Sequence, residues 1–201
     1  MMKKIILILL YLPIIVMGQK FPSLSIGDIM PMGNHQMLDV DENKKSLNKL
    51  FNDNGLLVVF TCNTCPFVVM WEDRYIQLEE KCSQKKLGMV YINSNHAKRN
   101  GDDSMENMKA HFKKMDYNFP YLADDESIVA NSFGAKTTPH IYLFNNEKKL
   151  VYKGAIDDNY KSIHDVKEKY LIDAIDQLSK KKPIKINQTR AVGCSIKRVK
   201  K

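Results

Sequence analysis

Apolar runs and amphipathic segments alternate along the central part of this 201-residue chain. Leu56–Thr61 is a continuous apolar run rich in β-forming residues, which is typical of a strand buried on both faces. From about residue 65 to residue 85, large apolar residues recur at helical spacing, and residues 87–93 form a second apolar run. This order predicts a βαβ unit in which the two strands are parallel.

The flanking segments complete an α/β pattern. Residues 21–45 predict one or two short strands, and residues 46–51 a helical turn. Ser104 is the expected N-cap of a helix that reaches about residue 115, and Gly134 the expected end of a short helix over residues 126–133. A hairpin with strands at residues 141–144 and 150–153 and a last helix at residues 167–179 follow. Together these elements predict a three-layer α/β domain.

The N-terminus has the pattern of a secretory signal peptide. Lys3 and Lys4 precede an apolar run over residues 5–17, and Gly18 supplies a small residue before Gln19. The run is shorter than the roughly 20 residues that span a bilayer, although a retained N-terminal anchor is the alternative. We expect residues 1–18 to be a signal peptide and residues 19–201 one domain that is periplasmic or secreted, without stable membrane insertion.

The formal net charge of +8 is concentrated at the C-terminal end. A basic tail can bind nucleic acid, but an exported protein seldom meets any, so we expect a solvated face or a contact with the envelope surface. The residues concerned are Lys180, Lys181, Lys182, Lys185, Arg190, Lys197, Arg198, Lys200 and Lys201.

The most informative motif is Cys62-Asn63-Thr64-Cys65-Pro66, where the first buried strand gives way to a helix. Two intervening residues place the two thiols within bridging distance, and the N-terminal end of a helix stabilises a thiolate. Pro66 suits the first helical turn. We expect Cys62 to be the exposed, more acidic nucleophile and Cys65 the resolving thiol.

Three other interpretations of this motif remain open. A structural disulfide rarely closes so small a ring, and a zinc half-site would need a second ligand pair. A Cu(I) site is a further candidate, because two thiolates and a histidine suit this soft ion, with His140 as the third ligand. Cys82 falls on the apolar stripe of the predicted helix and is expected in the core, with Trp71 and Tyr75.

Thr138-Pro139 opens the apolar strand after the short helix. A strand, a CxxC motif and a helix followed by Thr-Pro before a strand resemble the thioredoxin superfamily. The finer resemblance is to the peroxiredoxin-like alkyl hydroperoxide reductase/thiol-specific antioxidant branch. It is carried by residues 119–125, 138–144 and 152–158 and by the ending Gly193-Cys194-Ser195-Ile196-Lys197.

The resemblance implies a thioredoxin-like three-layer sandwich with a central mixed sheet and helices on both faces. It also implies a cis Pro139 that faces the dithiol and presents a backbone edge to the substrate, with Thr61, Pro66 and Thr138 in supporting positions. Typical peroxiredoxins have a Thr three residues before the reactive Cys, whereas here Cys62 stands three residues before Cys65.

The first functional hypothesis is an exported thiol–disulfide oxidoreductase that uses the Cys62/Cys65 dithiol and has an antioxidant or redox-homeostasis role. The second is a thiol peroxidase of peroxiredoxin type, and the third a copper-binding metallochaperone. Substrates would be protein or small-molecule thiols and disulfides, or peroxides, and the first two hypotheses require no metal or other cofactor.

Cys194 is a candidate third redox thiol. Gly193 gives the backbone room for a close approach to another chain, and the lysines and arginine that follow would favour a thiolate. A disulfide with Cys62 or with another subunit, and an inert position in a packed tail, are the alternatives that the sequence leaves open.

Overall fold

The computed structural model describes residues 21–199, so the predicted signal peptide lies outside the described residues. The strands are β1 (Met37–Asp39), β2 (Lys44–Lys45), β3 (Leu56–Thr61), β4 (Gly88–Asn93), β5 (Tyr121–Ala123), β6 (Thr137–Thr138), β7 (His140–Phe144), β8 (Leu150–Gly154) and β9 (Cys194–Ser195). The α-helices are α1 (Pro66–Gln84), α2 (Met105–Lys114), α3 (Ile128–Phe133) and α4 (Tyr170–Ser179).

Seven strands form one mixed sheet in the order β2-β1-β5-β4-β3-β7-β8. Strands β3, β4 and β5 are parallel, and β7 pairs antiparallel with β3 on the other side. The βαβ unit is therefore confirmed, and β3 lies inside the sheet, between β4 and β7, with both faces covered. This position explains why the sequence of β3 is apolar throughout.

Two apolar cores lie on opposite faces of the sheet because successive side chains of β3 point in opposite directions. Leu57 and Val59 pack with α1, α2 and α4, whereas Val58 and Phe60 pack with α3 and the segment before β1. The predicted three-layer α/β arrangement with a central mixed sheet is confirmed. Trp71, Tyr75 and Cys82 are buried in the first core, as expected.

Helix boundaries follow from local capping chemistry. The Ser104 side chain accepts the N–H of Asn107, as predicted for the N-cap of α2. Helix α3 begins two residues later than predicted because the Asp124 carboxylate accepts the N–H groups of Val129 and Ala130, each at 2.9 Å. Gly134 ends α3 in the left-handed conformation.

Strand β5 and the pairing of β6 with β9 were not predicted. β5 has three residues, and β6 and β9 have two each, which is too short for a periodic signal. Within residues 21–199, no helix has both the length and the apolar character that a membrane span requires.

Candidate active site

The Cys62–Cys65 loop joins the end of the central strand to the start of α1. Strand β3 ends at Thr61, and Cys65 is the N-cap of α1, with extended backbone angles of φ −67° and ψ 124°. Pro66 occupies the first helical position, where its missing N–H leaves no hydrogen bond unmade. The Cys65 sulfur thus belongs to the residue at the positive end of the helix.

Both motif thiols are free and almost completely buried. Cys62 is 2% exposed and Cys65 is 6% exposed. Sγ of Cys62 lies 3.4 Å from Oγ1 of Thr138, and Sγ of Cys65 lies 3.5 Å from the Thr138 carbonyl oxygen. The Thr138–Pro139 peptide bond is cis, as the resemblance implied. Thr138 therefore contacts both sulfurs.

The two thiols share one proton unequally. A hydrogen bond from the Cys62 thiol lowers the pKa of Cys65 well below its ordinary value, against the effect of burial. The Cys194 thiol and the backbone N–H groups of Val68 and Cys194 act in the same direction. The same hydrogen bond raises the pKa of Cys62, and burial and the charge of Asp103 raise it further.

The prediction that Cys62 is the more exposed and more acidic thiol is therefore wrong. The physical reason is that the Cys62 thiol, the Cys194 thiol and the N–H of Val68 all lower the pKa of Cys65, whereas Cys62 is the more deeply buried of the pair. Cys65 is the N-cap of α1, while Cys62 directly follows β3. Cys65 holds the thiolate and Cys62 keeps its proton.

The C-terminal tail packs against this pair. Strand β9 pairs antiparallel with β6, with Cys194 opposite Thr138 and Ser195 opposite Thr137. Cys194 is half-buried and packs in one apolar cluster with Cys62, Cys65 and Val68. The tail is therefore packed on the domain, and the Cys194 thiol lies beside the dithiol.

Hydrogen bonds hold the C-terminal tail against the loop after β4 and against α3 and the segment that follows it. The Lys197 N–H donates to Oδ1 of Asn95 at 2.8 Å, and the Ile196 N–H donates to the Lys136 carbonyl at 3.0 Å. The Arg198 guanidinium donates to Asn131 Oδ1 at 2.7 Å and to the Ala135 carbonyl at 2.6 Å. The backbone edge that Pro139 was expected to present to a substrate is thus already paired, at Thr137 and Thr138, with the protein's own tail.

The expectation that the basic tail favours a Cys194 thiolate is wrong for the reduced protein. Burial raises the pKa of Cys194, and its hydrogen bond to Cys65 and the negative charge on Cys65 raise it further. Lys197 lowers that pKa, but its effect is the smaller one. The Cys194 thiol is consequently a hydrogen-bond donor to Cys65.

A buried polar network on the other side of the loop fixes Asn63. Asp103, which is 1% exposed, accepts the Asn63 N–H at 2.9 Å, the Asn93 amide at 2.8 Å and the Asn95 amide at 2.9 Å. The Tyr121 hydroxyl donates to Asn63 Oδ1 at 2.9 Å. This network was not predicted, because polar residues after a strand are equally typical of a solvated turn.

The supporting residues differ in their contacts. Thr138 contacts both sulfurs. The Thr61 hydroxyl forms its hydrogen bond with the Tyr75 hydroxyl, at 3.3 Å. A cavity of about 150 Å³ adjoins the three thiols, and its cationic lining residues are Lys98 and Lys197. This cavity offers space for a small reactant beside the sulfurs.

His140, the third ligand of the copper hypothesis, lies apart from the cavity beside the cysteines. Its Nδ1 accepts the Lys136 N–H at 3.3 Å, and it lines a different cavity from the one beside the cysteines. Burial lowers the pKa of His140 to about 3, with Lys153 and Lys136 contributing, so the ring is neutral. No group of three or more His, Cys, Asp or Glu side chains in the described range is arranged to hold a metal ion.

Comparisons with known proteins agree with this architecture. The chain is 33% identical to an uncharacterized conserved protein from Geobacillus kaustophilus, with a TM-score of 0.81 over 90% of this chain and 94% of the other. It is 31% identical to a hypothetical protein from Sinorhizobium meliloti, with a TM-score of 0.81 over 90% and 98%. A peroxidoxin from Mycobacterium tuberculosis, at 14% identity and a TM-score of 0.58 over 77% and 96%, shares the fold.

A comparison with curated protein sequences finds no match. The profile of the AhpC/TSA family matches residues 17–153, which is more than half of the chain. The predicted thioredoxin-like fold and the predicted peroxiredoxin-like resemblance are both confirmed. The chain therefore belongs to the AhpC/TSA family, a family of thioredoxin-fold redox enzymes.

Proposed function

We propose that this protein is an exported thiol–disulfide oxidoreductase in which Cys65 attacks and Cys62 resolves. The observation that carries the proposal is the packing of two free sulfurs in one cluster against Thr138 at the start of α1. The pKa of Cys65 is lowered and that of Cys62 is raised, which puts the thiolate on Cys65. A thiolate is the reactive form of cysteine in disulfide exchange, and a second thiol at bonding distance can complete the reaction.

The reaction has two steps. The Cys65 thiolate attacks one sulfur of a substrate disulfide, so a mixed disulfide forms and the other substrate sulfur leaves as a thiolate. Cys62 then loses its proton and attacks the Cys65 sulfur, which releases the second substrate thiolate and leaves a Cys62–Cys65 disulfide. Two electrons pass from the protein to the substrate, and the reverse sequence oxidises a substrate dithiol.

Turnover of a small disulfide such as hydroxyethyl disulfide, coupled to dithiothreitol, tests this assignment. Cys65→Ser should abolish turnover. The double variant Cys62→Ser/Cys194→Ser should stop at a mixed disulfide visible by mass spectrometry, because no other thiol packs against Cys65. Cys82→Ala is the matched control, because Cys82 is buried in the core on the far part of α1 and should leave the rate unchanged. Full activity of Cys65→Ser would refute the proposal.

The export part of the proposal rests on the sequence of residues 1–18. Expression of the full chain in a host with an intact secretion system, followed by fractionation and N-terminal sequencing, tests it. A mature protein that begins near Gln19 outside the cytoplasm is the expected result. An uncleaved chain in the cytoplasm would contradict export without affecting the assignment of the dithiol.

A thiol peroxidase is the second candidate, favoured by a thiolate at a helix start with a proton-bearing thiol beside it. In that reaction the Cys65 thiolate attacks one oxygen of the peroxide, the O–O bond breaks, and Cys65 becomes a sulfenic acid. The other oxygen takes up a proton and leaves as an alcohol or as water. Cys62 then condenses with the sulfenic acid to a disulfide, with loss of water. Hydrogen peroxide consumption at a rate above that of disulfide turnover would favour this candidate.

A further inference from the structure

The Cys65 sulfur has two other thiols beside it. Cys62, Cys65 and Val68 form one buried cluster, and the half-buried Cys194 packs against it. The Cys62 and Cys194 thiols both lower the pKa of Cys65. Thr138 organises the group, since it lies 3.5 Å from the Cys65 sulfur through its carbonyl and directly opposite Cys194 in the β6–β9 pair. Residues opposite each other in an antiparallel pair have Cα atoms only about 4.5–5.5 Å apart.

The exposure of the three thiols increases from Cys62 to Cys65 to Cys194. Cys62 is 2% exposed and Cys65 is 6% exposed, whereas Cys194 is half-buried on the outer strand. The edge of β6 is closed to an external strand because β9 occupies it. An external reactant that approaches along this edge therefore meets Cys194 before it meets the dithiol.

We propose that Cys194 is the outer thiol of a relay that passes electrons between an external dithiol and the buried pair through a Cys65–Cys194 disulfide. This inference rests on the proposed function of the Cys62/Cys65 dithiol. It replaces the sequence-based alternative of a bond from Cys194 to Cys62, because Cys194 pairs with Thr138, whose carbonyl oxygen lies 3.5 Å from the Cys65 sulfur. The Cys194 thiol also lowers the pKa of Cys65.

The first step begins from the oxidised enzyme. Cys194 loses its proton and attacks the Cys65 sulfur of the Cys62–Cys65 disulfide. The Cys65–Cys194 bond forms, the Cys62–Cys65 bond breaks, and Cys62 leaves as a thiolate that takes up a proton. The number of disulfides is unchanged, and the disulfide now joins the dithiol loop to the tail strand.

The second step needs an external dithiol as the reductant. One of its thiolates attacks Cys194, so a mixed disulfide forms and Cys65 leaves as a thiolate. The second thiol of the reductant then attacks the sulfur of the first, which releases the Cys194 thiolate to be protonated. The enzyme gains two electrons, the reductant becomes a disulfide, and Cys62, Cys65 and Cys194 are all reduced.

The electrostatics of the site support this order. In the reduced protein the negative charge on Cys65 and the hydrogen bond to it hold the proton on Cys194. When Cys65 is part of a disulfide, that charge is absent, while Lys197 remains to favour a Cys194 thiolate. Cys194 is thus activated only in the oxidised enzyme, when the relay requires it.

Disulfide mapping after mild oxidation with diamide tests the connectivity. The relay predicts a Cys65–Cys194 disulfide in Cys62→Ser and only a Cys62–Cys65 disulfide in Cys194→Ser. It also predicts that oxidised Cys194→Ser is reduced by dithiothreitol at least about tenfold more slowly than the wild type, because the most accessible of the three thiols is gone. Oxidised Cys82→Ala should be reduced at the wild-type rate and serves as the control.

The failure of the relay and the failure of the proposed function give different results. If Cys62→Ser forms no Cys65–Cys194 disulfide, or if Cys194→Ser is reduced as fast as the wild type, the relay is wrong. In both cases a wild-type Cys62–Cys65 disulfide and an inactive Cys65→Ser would leave the dithiol assignment standing. Absence of the Cys62–Cys65 disulfide from the oxidised wild-type protein would overturn both.

Discussion

The Asp103 carboxylate accepts the backbone N–H of Asn63 at 2.9 Å, so a residue in the loop after β4 fixes the loop that holds the two motif thiols. The same carboxylate accepts the side-chain amides of Asn93 and Asn95, and all three bonds are buried. Asn95 in turn accepts the N–H of Lys197 in the tail. One carboxylate therefore links the dithiol loop, the end of β4 and, through Asn95, the tail strand.

We predict that Asp103→Asn destabilises the reduced protein by about 1–3 kcal/mol. An amide nitrogen cannot accept the Asn95 hydrogen bond, and a buried donor left without a partner costs that much. Removal of the negative charge should also lower the pKa of Cys62, which Asp103 helps to raise. Denaturant unfolding measures the first effect, and thiol alkylation against pH in a Cys65→Ser background measures the second.

Asp102→Asn is the matched control for this change. The Asp102 side chain is 57% exposed, and its contribution to the loop is the backbone carbonyl that accepts the Asn63 amide. A surface substitution of this kind changes stability by no more than about 0.5 kcal/mol. Equal stability of the Asp103→Asn and Asp102→Asn proteins would show that the network is not needed to hold the loop.

The sequence could predict the parts of the site that depend on neighbours in the chain. The buried strand β3, the dithiol and the helix Pro66–Gln84 follow one another in the chain, so each can be recognised from its own stretch of sequence. The resemblance supplied the cis bond before Pro139. The helix start was predicted correctly, but the relative acidity of the two thiols was not, because it depends on the contact between them and on the Cys194 thiol of the distant tail.

The parts of the site that were not predicted depend on contacts between segments that are far apart in the sequence. Asp103 reaches Asn63 across forty positions in the sequence, and Cys194 meets Thr138 only because the tail returns to the edge of β6. No periodicity marks a strand of two residues, and a polar loop after a strand has no signal that tells a network from a solvated turn. The third thiol could be suspected from the sequence, but its partner could not be identified.

Cys82→Ala should leave redox turnover at the wild-type rate. Cys82 is fully buried in the core, and burial raises the pKa of its thiol, so it is neither accessible nor ionised. Loss of the buried sulfur should lower the free energy of unfolding by about 1–3 kcal/mol. Chemical denaturation and the hydroxyethyl disulfide assay check the two parts, and an inactive but folded variant would contradict the prediction.

The alkylation of Cys65 should depend little on pH between about pH 6 and pH 8 in the wild type. Its pKa lies well below the ordinary value, so the thiolate is already present throughout this range. In Cys62→Ala the hydrogen bond that lowers this pKa most is missing, and the rate should then rise with pH. Iodoacetamide labelling followed by peptide mapping gives both profiles.

The Cys82→Ala protein provides the reference for that comparison, because it loses a thiol without touching the pair. Its Cys65 profile should match that of the wild type. The assignment of the thiolate to Cys65 would be wrong if Cys62 were labelled first at about pH 7, or if Cys62→Ala and the wild type gave the same dependence on pH.

Gly193→Ala should displace the tail strand from the dithiol. A Cβ atom at Gly193 would lie 2.3 Å from the Thr138 carbonyl oxygen and 2.6 Å from the Thr138 carbonyl carbon, both backbone atoms that cannot turn aside. The strand must therefore move, at a cost of about 1–3 kcal/mol for overpacking. Cys194 should be alkylated faster, and the pKa of Cys65 should rise because the Cys194 thiol and N–H no longer help to lower it.

Gly101→Ala is the appropriate comparison, since the nearest atom to its added Cβ would be the Lys98 carbonyl oxygen at 3.9 Å. That contact is an ordinary one, so the variant should match the wild type in stability and in the alkylation of Cys194. A Gly193→Ala protein whose Cys194 reacts no faster than that of Gly101→Ala would mean that the tail strand does not cover the thiol. In that case, the close approach of Gly193 to Thr138 would have no part in the redox site.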